Sequence, residues 1–273
     1  MPFLEFIGCR ERIARAKVHR DAFAKEWSAF VEDEPYDSHL EVDDGGEGSI
    51  SITARYDPLP SIFALELGEM LYQLRAALDG AIYACAIRDS GQNPPPSFER
   101  LEFPVCSTPG TFQAAGRKIE PLKAARRKII ESVQPYNAPA GLKPAHAIFS
   151  LNRALRILND WARMDRHRTL HVVGSWVSKA NPILAVPQGV EVDFIGVTHD
   201  GLLAGEHEVA SFNLRGFKRG MKVQANPDLV VELFVADGLP PAAENDSLAN
   251  RIKGMMILVD TVVRGLEDSF HQK

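Results

Sequence analysis

The sequence of 273 residues contains few cysteines, and they form no recognisable motif. Cys9, Cys85 and Cys106 are odd in number, far apart and without the C-x-x-C spacing. Secreted disulfide-rich domains and zinc sites show the opposite pattern. We therefore expect a reduced, cytoplasmic compartment and no metal site. We also expect Cys85, which lies in an apolar stretch, to act as a small buried hydrophobic residue.

An uninterrupted apolar run is also missing. Charged residues begin at Glu5, so the N-terminus lacks the apolar core of a signal peptide. The most apolar stretch, residues 62–87, contains Glu66, Arg75 and Asp79, which a lipid-spanning helix would rarely contain. The sequence therefore predicts a core helix for this stretch and no interaction with a membrane.

The familiar motifs for nucleotide, phosphate and metal binding are absent from the sequence. It has no phosphate loop, no dinucleotide fingerprint, no Gly-x-Ser-x-Gly elbow and no His-Glu-x-x-His pair. We therefore predict no cofactor. The net charge of -5 argues against a wholly basic nucleic-acid-binding surface, but it leaves room for a local basic patch.

Helical and strand-like patterns occupy different parts of the chain. Apolar residues recur at helical spacing in segments 5–31, 62–87, 119–132, 144–167 and 247–269. Alternating or β-forming residues occupy segments 40–56, 172–177, 182–186, 190–198, 202–214, 221–225 and 229–236, with a hairpin turn at 199–202. Short strands joined by turns indicate antiparallel pairing. The sequence thus predicts an α+β fold, with a bundle-like helical core and an antiparallel β-sheet.

We expect residues 1–273 to form a single α+β domain. Its helical core would comprise about 59–168 and the helix at 247–270, and its β-rich part about 36–57 and 169–236. The first hairpin and the later strands would then join one sheet, with helices on one side. The alternative is a helical core with an appended β module.

The segment from Asn159 to His171 contains an unusual density of charge. On a helix with about 100° per residue, one broad face is apolar. That face comprises Leu151, Ala154, Leu155, Leu158, Trp161 and Ala162, and the opposite arc comprises Arg153, Arg156, Asp160, Arg163 and His167. Asp165 points toward the apolar side and can pair with Arg168. The charged arc is either a solvated surface or a site where a histidine transfers protons and arginines hold an anion.

A second polar set lies on the long apolar helix, where Tyr72, Arg75 and Asp79 share adjacent parts of one face. Charged side chains in so apolar a helix need partners. The 159–171 segment offers them: Asp165 for Arg75, and Arg166, His167 or Arg168 for Asp79. We predict that these residues form a structural network between two helices, with a catalytic site as the alternative.

Four short motifs resemble those of a family of uncharacterised bacterial proteins. They are Leu74-Arg75-Ala76-Ala77-Leu78-Asp79, Phe103-Pro104-Val105, Val133-Gln134-Pro135-Tyr136-Asn137 and Met164-Asp165-Arg166-His167-Arg168. Two positions depart from the family pattern: Gly80 stands where histidine is usual, and Arg163 where asparagine is frequent. The family has no established activity that the resemblance would imply for this chain.

Arg166, His167 and His171 also resemble the motif of HEPN ribonucleases, which are helical bundles. In that motif a polar residue follows an arginine, and a histidine stands four to six residues beyond it. The resemblance implies RNA as the partner and cleavage through the ribose 2′-OH without a metal. Arg166 would stabilise the phosphate charge, and His167 or His171 would act as acid or base.

The HEPN resemblance further implies a homodimer, because such sites are usually completed across a two-fold axis. The last helix would offer a broad apolar surface for it, formed by Met255, Met256, Val259, Val262 and Val263. The competing hypothesis is a non-catalytic binding or scaffolding protein, in which the same Asp, Arg and His residues form a structural inter-helix network.

Overall fold

A computed structural model shows an α+β protein with antiparallel strands, as predicted. The structure describes residues 3–56, 59–138, 150–167, 172–197, 201–203, 206–235 and 247–271. The helices are α1 (Ile7–Glu32), α2 (Ile62–Ser90), α3 (Pro109–Ala114), α4 (Ala124–Ser132), α5 (Leu151–His167) and α6 (Leu248–Asp268). The strands are β1 (Tyr36–Val42), β2 (Glu47–Ala54), β3 (Val172–Ala180), β4 (Ile183–Ala185), β5 (Glu191–Val197), β6 (Gly201–Leu203), β7 (Glu206–Arg215), β8 (Gln224–Asn226) and β9 (Leu229–Val235).

The chain divides into two compact units. The helical unit comprises Met1–Lys25, Ile62–Leu170 and Leu239–Lys273, and the sheet unit comprises Glu26–Ser61 and His171–Gly238. These boundaries separate the predicted helical core from the predicted β-rich part, with the first 25 residues added to the helical unit. The expectation of a single domain stays a prediction.

Helix α2 is the centre of the helical unit. Its fully buried side chains include Leu71, Leu74, Ala77, Leu78, Ala81, Ile82 and Cys85. Helix α1 runs antiparallel to it, because successive contacts join Arg12 to Gln73 and His19 to Glu66. Within the part of the chain that the structure describes, no helix combines the length and apolar character needed to cross a membrane.

Helix α6 buries its apolar face inside the helical unit. Met255, Met256, Val259, Val262 and Val263 are all buried, and α6 packs against α2 and α5. These side chains are therefore part of the core, and the interpretation of them as an open dimer surface is wrong. The homodimer itself stays a prediction, now without this support.

The described residues of the sheet unit form three antiparallel sheets. Their strand orders are β1-β2-β7-β5, β6-β3-β9 and β4-β8. The first hairpin joins later strands in one sheet, as predicted, and Ile50, Ile52, Val209 and Phe212 form the centre of its apolar core. The strand predicted over 202–214 is instead two strands in different sheets. The turn predicted at 199–202 begins at residues 199 and 200, which lie outside the described residues, so it stays a prediction. Among the described residues, β5 pairs with β7 and β6 with β3.

Candidate functional site

The predicted Arg75–Asp79 pair forms on α2, and both side chains bind the backbone of Phe103. Arg75 Nη2 lies 3.2 Å from Asp79 Oδ1 and 3.0 Å from Glu102 Oε1. The same nitrogen donates to the Phe103 carbonyl oxygen at 2.7 Å, and the Phe103 N–H donates to Asp79 Oδ1 at 2.9 Å. The two side chains therefore satisfy both polar backbone groups of a residue that belongs to no sheet.

Gln134 extends this arrangement from the other side of the same segment. Its side chain is 0% exposed. Its Oε1 accepts from the Cys106 N–H at 2.8 Å, and its Nε2 donates to the carbonyl oxygens of Pro104 at 2.9 Å and Ile130 at 3.0 Å. Residues 102–106 are thus held by side chains rather than by a partner strand. We call Arg75, Asp79 and Gln134 the backbone clamp.

The backbone clamp explains three of the four family-like motifs in structural terms. Each motif contributes either a clamping side chain or the clamped segment Phe103–Cys106. Burial raises the pKa of Asp79, while the nearby Arg75 guanidinium and the Phe103 amide act in the opposite direction. The motif residues of α2 therefore act in folding, as the structural interpretation expects, but their main partner is an extended segment rather than a second helix.

Asp165 does not pair with Arg75, so that predicted contact is wrong. Asp165 faces α2 at Gly68, where a Cβ atom would lie only 2.7 Å from its Oδ1. Gly68 precedes Arg75 by seven residues, or about 10 Å along the helix. Burial and the neighbouring Glu69 raise the pKa of Asp165. Arg168 lies outside the described residues, and its pairing with Asp165 stays a prediction.

Helix α5 has a buried apolar face and an exposed charged face, as its sequence predicts, and Arg166 is exposed although it is not part of the predicted charged arc. Leu155, Leu158 and Trp161 are buried, whereas Arg156, Arg163 and Arg166 are exposed. We call these three arginines the arginine face. Arg156 lies 3.6 Å from Asp160, and Arg166 Nε donates to the Ala162 carbonyl oxygen at 3.2 Å. Arg163 forms no ion pair with any described residue.

The HEPN-like residues are only partly described. His167 is the last residue of α5, but its side chain lies outside the described residues, as does all of His171. Strand β3 begins at Val172, immediately after His171. The grouping of Arg166, His167 and His171 as a catalytic site therefore involves positions outside the described residues and stays a prediction. The positive charge of Arg166 acts to lower the pKa of Asp79, against the stronger effect of burial.

Tyr72 is a surface residue whose exposure the sequence does not predict. Its ring is 54% exposed, although it lies on the most apolar helix. The Arg12 guanidinium carbon lies over the ring, 5.9 Å from its centroid. Tyr72 follows Gly68 by four residues and precedes Asp79 by seven, so it shares their face of α2. The helical periodicity identified this face, but only the fold shows that the ring stays exposed and that α1 supplies an arginine.

Charge is distributed very unequally between the two units. The helical unit contains 25 Lys and Arg residues against 18 Asp and Glu residues, a net charge of +7. The sheet unit contains 6 against 18, a net charge of -12. The two net charges sum to the -5 of the whole chain, so the overall value hides the difference between the two units. The net charge of the whole chain did not exclude a local basic patch. The helical unit, with its exposed arginine face, is the part of the molecule where such a patch is expected.

The departure at Gly80 has a local cause in this chain. A Cβ atom at Gly80 would lie 3.2 Å from the Cys9 sulfur, which is tighter than an ordinary van der Waals contact. A histidine here would have to displace the buried Cys9 side chain from the contact between α1 and α2. The absence of the family's histidine therefore matches the close approach of these two helices.

Comparison with known proteins adds no relative. No protein-family model, no curated protein and no solved structure matches this chain. Among the described residues, no three His, Cys, Asp or Glu side chains lie close enough together to hold a metal ion. What the site can do must therefore be argued from its own side chains: exposed arginines, an exposed tyrosine ring and a buried backbone clamp.

Proposed function

We propose that this protein binds RNA through the arginine face of α5. The observation that carries the proposal is the exposure of Arg163 and Arg166 on the helical unit, whose net charge is +7. A guanidinium group binds phosphate oxygens in bidentate geometry and keeps its charge at all physiological pH values. A row of such groups on one helix is suited to the phosphates of a nucleic acid strand. The HEPN-like order Arg166-His167 supports RNA as that nucleic acid.

Metal-independent cleavage of the bound RNA is the second candidate function. It is supported by α5, which continues through Arg166 and His167 and so carries both on one helix, as in the HEPN-like motif. In this reaction the ribose 2′-oxygen attacks the adjacent phosphorus and the bond from phosphorus to the 5′-oxygen breaks. One histidine accepts the 2′-OH proton, and another gives a proton to the leaving 5′-oxygen. Arg166 would stabilise the charge that develops on the phosphate.

A non-catalytic scaffold is the competing function, and the backbone clamp supports it. Two family-like motifs supply the side chains that hold residues 102–106 and a third is part of that segment, which explains all three without a reaction. The clamp and the arginine face use different side chains. RNA binding and a structural role for the motifs are therefore compatible, and cleavage is the property that separates the two hypotheses.

RNA binding is tested by fluorescence anisotropy with a labelled single-stranded RNA. We expect Arg163→Ala/Arg166→Ala to weaken binding, and to reduce the slope of log affinity against log salt by about 1.4, as for two lost phosphate contacts. The matched control is Arg215→Ala/Arg219→Ala, which removes the same charge from exposed positions of the sheet unit. Equal affinities for wild type and both double variants would contradict the proposal.

Cleavage is tested with the same RNA by gel analysis, with and without a chelator. We expect cleavage to persist in the chelator and to be lost in His167→Ala or His171→Ala. A 2′-deoxy substitution at the cleaved position should also block it, because the attacking oxygen is then missing. Chelator-sensitive cleavage, or cleavage unchanged in both variants, would exclude this mechanism. Binding without cleavage would favour the non-catalytic function.

A further inference from the structure

Tyr72 is 54% exposed on α2, a helix that buries most of its large apolar side chains and exposes Leu65 as well. Its neighbours Leu71 and Leu74 are fully buried, and Met70 is nearly so. An exposed aromatic ring gains little from the hydrophobic effect, so burial in the core does not account for it. Its surroundings are polar and cationic instead.

Arg12 places a positive charge next to the Tyr72 ring, on which a flat ligand can stack. The Arg12 guanidinium carbon lies 5.9 Å from the Tyr72 ring centroid. Arg12 Nη1 also donates to Gln73 Oε1 at 3.2 Å, which restricts its position beside the ring. A ligand that stacks on the ring would meet a positive charge at the same place, and a nucleotide offers both a flat base and a negative phosphate.

Tyr72 also lies on the side of α2 that faces α5. Four residues earlier on the same face, Gly68 contacts Asp165 of α5. Seven residues after Tyr72 is Asp79, whose pKa the positive charge of Arg166 acts to lower. The ring therefore lies on the stretch of α2 between Gly68 and Asp79, on the side of α2 that α5 approaches at Gly68.

We infer that Tyr72 is a stacking platform for an unpaired nucleobase, which makes single-stranded RNA the preferred ligand of the arginine face. The inference rests on the proposed function and specifies its substrate class. In a duplex the faces of the bases are covered by their neighbours, so a protein ring can stack on a base only where the strand is unpaired. Phosphate contacts with the arginine face stabilise bound single-stranded and double-stranded RNA alike. Stacking on Tyr72 favours the single strand.

The test measures three RNA ligands against two tyrosine variants. The ligands are a short single-stranded RNA, the same sequence as a duplex, and the same strand with abasic sites. We expect Tyr72→Ala to lose about ten-fold in affinity for the single strand, as expected when one stacked base is lost. Affinities for the duplex and the abasic strand should not change. Tyr72→Phe keeps the ring and should bind like wild type.

Phe98→Ala is the matched control, since it removes another exposed aromatic ring of the helical unit. Equal effects of Phe98→Ala and Tyr72→Ala would overturn the inference, as would equal wild-type affinities for the single strand and the duplex. If Tyr72→Ala binds normally while Arg163→Ala/Arg166→Ala is impaired, stacking is refuted and RNA binding stands. If no RNA binds to wild type, the proposed function fails and the inference fails with it. Thermal unfolding of Tyr72→Ala should match wild type, because the ring is exposed.

Discussion

The two units of the molecule use charged residues in opposite ways. The helical unit buries several of them: the Arg75 side chain is 7% exposed, and Asp89, which pairs with Arg126, is 1% exposed. The ion pairs of the sheet unit lie at the surface, as in Arg215–Asp193 and Arg219–Asp44. Burial makes a charged partner indispensable, whereas water screens an exposed pair. Charge therefore contributes to the internal structure of the helical unit and to the solvation of the sheet unit.

The same comparison bears on binding. A polyanion such as RNA is attracted by the +7 unit and repelled by the -12 unit. The helical unit has its positive net charge although some of its charged residues pair with each other. Its arginine face is exposed to solvent. The difference teaches that a modestly acidic chain can contain a basic unit, so the net charge of a whole chain conceals the charges of its parts.

The largest expected effect comes from breaking the backbone clamp. Gln134→Ala leaves the Cys106 N–H and the carbonyl oxygens of Pro104 and Ile130 without their partner inside the core. We expect a loss of about 3 kcal/mol or more in unfolding free energy, because each buried polar group left unpaired costs about 1–3 kcal/mol. Urea denaturation measures this loss. Asn137→Ala, which removes one exposed hydrogen bond from the same loop, is the control and should change the midpoint little.

A middle-sized effect should distinguish two glycines, one in each unit. At Gly48 in β2, a Cβ atom would lie 2.5 Å from the Glu41 carbonyl oxygen and 2.6 Å from the Phe212 ring. We expect Gly48→Ala to cost about 2 kcal/mol, because neither the backbone nor the buried ring can move aside. At Gly68 the obstacle is only the Asp165 carboxylate, which can rotate, and alanine favours the helix by about 1 kcal/mol.

Gly68→Ala should therefore be clearly less destabilising than Gly48→Ala in parallel urea titrations. Equal losses would mean that the contact of Asp165 with α2 is as rigid as the interior of the sheet. That result would contradict the description of Gly68 as a close but adjustable approach between helices.

The smallest expected effect is a difference in pH dependence between the two units. Burial raises the pKa of Asp165, so the folded state holds this proton more tightly than the unfolded chain. The resulting stability is present below the unfolded pKa of about 3.9 and is lost as the pH rises through the folded pKa. Asp37 in the sheet unit behaves oppositely: its hydrogen bond to Arg55 lowers its pKa, and its contribution is lost as the pH falls.

Asp165→Asn tests this sign directly. We expect its urea midpoint to exceed that of wild type at neutral pH and to converge with it in acid, since the amide carries no charge to desolvate. Asp160→Asn is the control, because Asp160 is exposed beside Arg156. A neutral-pH midpoint for Asp165→Asn below that of wild type would show that the carboxylate has a stabilising partner instead.

Sequence patterns predicted the elements with strong periodicity and placed their faces well. The apolar helix predicted over 62–87 is α2, Ile62–Ser90, and the last helix predicted over 247–269 is α6, Leu248–Asp268. The apolar face of α5 is buried as predicted. Periodicity succeeds here because one face of each element must leave water, whatever it packs against. Periodicity failed at residues 202–214, where strand-forming residues continue without a break in the sequence. Only the strand pairing shows that this stretch divides into β6 and β7.

The candidate site was predictable only within single helices. The spacing of Arg75 and Asp79 predicts their contact, since residues four apart on a helix are neighbours. Their partner in the fold is Phe103, which is 24 residues beyond Asp79, and Gln134 reaches Cys106 across 28 residues. The pairing with Asp165 was predicted from charge alone, and charge does not say which of several segments packs against a face.

The sequence by itself determined the fold class, the buried faces of α2 and α5, and the exposure of Arg156 and Arg163, because these follow from local periodicity and from the cost of burying charge. Only the tertiary structure decided that Arg75, Asp79 and Gln134 hold an extended segment, that Tyr72 stays exposed beside Arg12, and that basic and acidic residues separate into two units. Each of these depends on which distant segments meet. The packing of whole helix and sheet faces against one another decides which segments meet. The sequence of a single segment does not identify the segment that packs against it.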